Sequence, residues 1–74
     1  MEEFIDGVMV RTIDGERYSD FSVWLKVNGY KTKEDIYEDS IVNGMSEEDV
    51  EESITKLEDE FLDWCSNNDI IGEI

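Results

Sequence analysis

The segment from Ser19 to Tyr30, SDFSVWLKVNGY, decides the fold. Phe21, Val23, Leu25 and Val27 alternate as a half-buried strand requires. Phe21, Trp24 and Leu25 equally fall at i, i+3 and i+4, behind Ser19 or Asp20 as a helix N-cap. Asn28-Gly29 then closes either a hairpin or a helix, with Tyr30 packing back on the last turn in the second case. As a strand, residues 21–27 would extend a sheet; as a helix, they would end one. The reading leans to a short helix, with the strand left open.

The segment that follows tips the balance to the helix. Upstream, GVMVRTIDGERY carries a β-branched run from Val8 to Ile13 followed by Asp14-Gly15, a favoured type I′ pair. A hairpin with strands near 7–13 and 16–19 is predicted. Downstream, Thr32-Lys33-Glu34-Asp35 approximates a capping box and opens a helix near 33–42, which Asn43-Gly44 ends. Ser46-Glu47-Glu48-Asp49 repeats the device and opens a longer helix near 47–66. The echo NGY…TKEDI and NGM…SEEDV reads as two helices using the same stop and start chemistry, not as a duplication.

The last helix has the clearest period. Val50, Ile54, Leu57, Phe61 and Trp64/Cys65 recur at spacings of three or four and fall within an arc of roughly 100°. Asn67-Asn68 stops it. The apolar tail from Ile70 to Ile74 has three outcomes open to it: fraying, an edge strand, or packing across a dimer. The expected fold is α+β: an N-terminal β-hairpin packed on two or three helices, the last one long, acidic and amphipathic. Residues 1–74 form one small domain, so thin a core that self-association would help it.

Charge bounds the function. There are 21 acids, 6 bases and no histidine, a net of −15. Direct nucleic-acid binding needs a basic face to displace counterions, and an anionic membrane surface repels the same sign. A basic protein is the natural partner. The charge is also uneven: residues 1–33 carry six acids and five bases, whereas residues 34–74 carry fifteen acids and only Lys56. A lone cysteine, an acidic N-terminus without a basic or apolar leader, and no apolar run near ~20 residues point to a cytoplasmic protein without a membrane span.

Catalysis has little to work with. Without histidine no Ser/His or Cys/His arrangement exists, and Cys65 beside Trp64 on the apolar side of an acidic helix is a packed thiol. No EF-hand loop fits: Asp39 to Val50 comes nearest, with Ile41 and Val50 where ligands belong. No enzyme, metal or cofactor is expected.

The stretch MSEEDVEESITKLEDEFLDW, residues 45–64, carries nine acids and one lysine. Acids in the first turn favour the helix dipole by ~0.3–1 kcal/mol each, which accounts for Glu47, Glu48 and Asp49. It does not account for Glu58, Asp59, Glu60 and Asp63, and the i, i+4 pairs Glu47/Glu51, Glu48/Glu52 and Asp59/Asp63 repel. A 20-residue helix is ~30 Å long, the span over which one DNA strand sets about nine phosphates. Glu34, Asp35, Glu38 and Asp39 offer a second row. The candidate partner-binding surface is thus Glu34, Asp35, Glu38, Asp39, Glu47, Glu48, Glu51, Glu52, Glu58, Asp59, Glu60 and Asp63.

With its small size, its acidity, its lack of histidine and proline, and SEEDVEESITKLEDEF, the chain resembles the DNA-mimic proteins of bacteriophages. Within that class it resembles the very small dimeric inhibitors of the histone-like nucleoid protein HU. The resemblance implies a homodimer in the host-cell cytoplasm whose carboxylates stand in for phosphates against a basic groove. Trp24, Trp64, Tyr30 and Tyr37 would add apolar anchors, although core packing suits Trp64 better. The competing readings are an acidic adaptor that binds through an apolar patch, and an anti-defence inhibitor of a nuclease or restriction system.

Overall fold

The computed structural model describes residues 1–74 in the order β1 (Glu2–Ile5), β2 (Val8–Ile13), β3 (Glu16–Asp20), α1 (Phe21–Val27), α2 (Lys33–Val42), α3 (Glu47–Asn67) and β4 (Ile71–Glu73). The sheet order is β1-β2-β3-β4, antiparallel except for the parallel β3/β4 pair. The fold is α+β, with the predicted hairpin, three helices and a long acidic last helix.

Helical spacing wins over strand alternation at 21–27. Phe21, Trp24 and Leu25 are buried, while Val27 is 43% exposed. β3 runs straight into α1, since Ser19 is buried with its Oγ donating to the Met9 carbonyl at 3.0 Å. Asp20 takes the N-cap position but makes no side-chain cap bond; its carboxylate pairs with Arg11 at 3.4 Å.

Two Asp-Gly turns build the meander. Asp14-Gly15 joins β2 to β3 as expected, and Asp6-Gly7 joins β1 to β2 with the same positive φ at both residues. Strand β1 thus adds to the two-stranded hairpin predicted from the sequence. The tail supplies the fourth strand. β4 crosses α3 so closely that a Cβ on Gly72 would meet Phe61 Cε2 at 2.8 Å and Leu62 Cδ2 at 3.0 Å.

The core lies between one sheet face and two helices. Val8 and Val10 of β2 meet Phe21, Trp24 and Leu25 of α1, Phe61 and Cys65 of α3, and Ile70. Phe61 is central, with ring centroids 5.4 Å from Phe21 and 5.8 Å from Trp24. Of the predicted stripe, Val50, Ile54, Phe61 and Cys65 are buried, while Leu57 and Trp64 are half-buried.

All three helices end with the same pair of backbone bonds. Gly29 and Tyr30 donate to the Lys26 and Leu25 carbonyls, Gly44 and Met45 to Ile41 and Ser40, and Asp69 and Ile70 to Ser66 and Cys65. Each is a Schellman cap, with Gly29, Gly44 or Asp69 left-handed. The echo in the sequence is this device, used a third time with aspartate in place of glycine. At the helix starts, Ser46 Oγ accepts from the Asp49 N–H at 3.3 Å, whereas Thr32 makes no side-chain cap bond.

Candidate functional site

α2 and the first half of α3 form a helical hairpin that projects from the sheet, in a molecule measuring 44 × 18 × 16 Å. α2 buries no residue; Ile36, Tyr37 and Ser40 are half-buried on the hairpin, whose own core is Val50 and Ile54. Four of the predicted carboxylates, Glu34, Asp35, Glu38 and Asp39, lie exposed on α2. The other eight are on α3, all exposed except half-buried Glu58.

These carboxylates are almost entirely uncompensated. The chain has three ion pairs: Arg11–Asp20, Arg17–Glu3 and Lys31–Asp39. Only Asp39 among the twelve is engaged, and no acid of α3 is. The bond that Lys31 donates to Asp39, followed by the charges of Asp39 and Asp35, holds the Lys31 ammonium pKa above its ordinary value. Two of the five cations of the N-terminal half are therefore spent within the sheet, and a third on the α1–α2 linker.

The nine acids of the last helix fall into two clusters, as the sequence already shows. Glu47, Glu48, Asp49, Glu51 and Glu52 form one, Glu58, Asp59, Glu60 and Asp63 the other; Ser53–Leu57 between them contains Lys56 and no acid. The cluster centres are about 16 Å apart at 1.5 Å per residue. Lys33 and Tyr37 share a cleft with Glu51, Thr55 and Glu58, which sets the start of α2 level with that gap. Glu34 and Asp35 thereby fall beside the acid-free turn of α3, so the two helices together carry acids along the whole arm.

Glu51 and Glu52 also line a shallow open groove with Glu48, Asp49, Thr55, Lys56 and Asp59, none of them apolar. Tyr37 Oη approaches Glu51 Oε1 at 3.5 Å; partial burial first, then the charge and acceptor oxygen of Glu51 and the charge of Glu47, raise the phenol pKa. Nowhere do three carboxylates converge as a metal cage. Cys65 is packed in the core, where burial pushes its thiol up to about 11.

The four aromatic side chains proposed as anchors separate. Trp24 is buried, with its ring 6.0 Å from that of Tyr30, and does not reach the surface. Trp64 is half-buried and donates through Nε1 to Asp6 at 3.0 Å, tying the β1–β2 turn to α3. Tyr30 is exposed and Tyr37 half-buried.

Two apolar surfaces went unread in the sequence. One is the tip of the arm, with Ile41, Val42 and Met45 exposed. The other is the sheet face turned away from the helices, where Phe4 sits opposite Met9, and Ile13, Tyr18 and Ile71 share the same side. No helix is long and apolar enough to cross a membrane. Compared with known protein families, with curated proteins and with solved structures, the chain matches none.

Proposed function

We propose that this protein is a phage-type DNA mimic that occupies the DNA-binding surface of a basic host protein, an HU-like nucleoid protein first among them. The observation that carries this reading is the charge left free on the two helices of the arm: eleven of twelve candidate carboxylates have no ion-pair partner. A chain selected for stability alone would interleave lysine at i, i+4. Here two cations sit on the sheet and one on the linker, and the arm's own Lys33 and Lys56 form no ion pair with its acids. Such a surface steers a basic partner at rates that fall steeply with salt, as DNA itself does. The place of action is the host-cell cytoplasm.

The test is displacement of labelled duplex DNA from purified HU-type protein, followed by fluorescence anisotropy at several salt concentrations. The wild-type chain should release the DNA, less effectively as salt rises. The variant Glu58→Gln, Asp59→Asn, Glu60→Gln, Asp63→Asn should lose that effect while keeping its fold. Full displacement by the amide variant would reject mimicry through these groups. An anti-defence inhibitor of a nuclease or restriction system would use the same carboxylates, so the same variant with that enzyme in place of HU separates the targets.

A second reading has its own support. Phe4 is 72% exposed on the open sheet face, opposite Met9, with Ile13 and Ile71 exposed farther along the same face. An acidic adaptor would bind there and ignore the amide changes. A homodimer would use the same face and keep the charged arms free, and sedimentation of wild type against Phe4→Ser distinguishes it.

A further inference from the structure

The arm does not end in charge. Residues 40–46, SIVNGMS, are the longest uncharged run in the chain, set between Glu38-Asp39 and Glu47-Glu48-Asp49. They hold the turn between α2 and α3, where Ile41 is 60%, Val42 85% and Met45 41% exposed. In the cap that ends α3 the apolar residue after the left-handed position is buried, Ile70, and in the cap that ends α1 the exposed Tyr30 still stacks its ring on Trp24. Met45 holds the equivalent position, remains open, and leaves an apolar knob with Val42.

The backbone beneath the knob is held by hydrogen bonds. Met45 and Gly44 donate to the Ser40 and Ile41 carbonyls at 2.9 and 3.1 Å, and Asn43 Nδ2 donates to the Asp39 carbonyl at 2.7 Å. A backbone turn fixed before binding has less entropy to lose on docking, which favours its use as an anchor point.

We propose that the tip is an apolar anchor that seats in a hydrophobic pocket bordered by lysine or arginine on the basic protein the arm binds. The proposal rests on the mimic reading and adds the contact that holds the complex together. Charge complementarity selects the occupant. The acids on either side repel an anionic membrane, and they repel the tip of a second copy by the same sign. A pocket rimmed with cations satisfies the apolar knob and its acidic collar at once. The two parts then divide the kinetics: collar charges govern encounter and salt dependence, and the desolvated knob governs dissociation.

The experiment measures association and dissociation rates with immobilised HU-type protein at three salt concentrations. It uses the wild type, the double variant Val42→Ser/Met45→Ser, and Ile41→Ser as a second, single change. Circular dichroism should overlay for all three, because the replaced side chains are exposed. The expected result for the double variant is dissociation faster by about 10-fold or more, with association and the salt slope unchanged. If wild type binds and both variants leave at its rate, the anchor is wrong and mimicry stands. If the variants change only association, the tip acts as part of the charged collar and the anchor is again wrong. If wild type fails to bind at low salt, the mimic reading fails, and the tip loses its proposed partner with it.

Discussion

The sheet end and the arm spend their residues differently. Of eleven buried residues, nine lie at the sheet end, leaving Val50 and Ile54 to the arm. The sheet end joins three layers of contact around Phe61, uses Arg11 and Arg17 in ion pairs, and draws an Arg17 Nη1 bond to the Asn68 carbonyl, 3.0 Å away. That bond places a cation at the C-terminus of α3, where the helix dipole favours one and the helix's own last turn has none. The arm has one acceptable hydrophobic seam and nine acids against Lys56 over residues 34–57. One end is built for packing, the other for presenting charge, and stability and function should respond to mutation at opposite ends.

The largest expected effect tests the sheet end. Phe61→Ala should cost about 3–5 kcal/mol and leave little folded protein at 37 °C, read by urea unfolding. Gly72→Ala should cost about 2–3 kcal/mol, because its methyl has no room against the buried Phe61 ring and Leu62. A melting curve matching wild type for Gly72→Ala would mean that β4 is not held against α3.

Ile54→Ala sharpens the contrast. It should cost about 2 kcal/mol and act locally, speeding amide exchange over residues 33–56 while strands β2 and β3 keep their protection. Equal loss at both ends would merge them into one cooperative unit. Smaller still is Asp59→Asn with Asp63→Asn, which removes an i, i+4 repulsion and should stabilise by a few tenths of a kcal/mol at low salt and by nothing in 1 M salt.

Cys65 probes the packed end through pH. Its folded-state thiol is raised from 9.0 to about 11 by burial, so the protonated form is the one the fold favours. The stabilisation is complete below pH 9 and is lost as pH rises through about 11. At pH 8 a thiol reagent should label Cys65 only as fast as the protein unfolds; immediate labelling would show that the α3–β4 contact opens freely.

Much of this could be read without a structure, for local reasons. The α3 stripe, the Asn-Gly helix ends and the Asp14-Gly15 turn each depend on side chains within a few residues of one another. The Asp6-Gly7 pair carried the same signal for β1, but Glu2-Glu3-Phe4-Ile5 has too few apolar residues for alternation to show. The carboxylates of the candidate site were legible as a composition. Their division into two clusters was legible too, but the place of Glu34 and Asp35 beside the gap was not, because it depends on how α2 lies along α3.

The sequence by itself determined the charge, its concentration after residue 33 and the positions of most turns, since these are properties of residue types and short spacings. Tertiary structure alone decided that residues 21–27 are a helix, that Ile71–Glu73 pairs with β3 from the far end of the chain, and that Ile41, Val42 and Met45 stay in the open. Each of those outcomes turns on burial against a distant partner: Phe61 for Phe21 and Trp24, Phe61 again for Gly72, and the lack of any facing layer for the tip. A short apolar segment is compatible with several conformations, and the free energy of burial selects among them only once the partner surface exists.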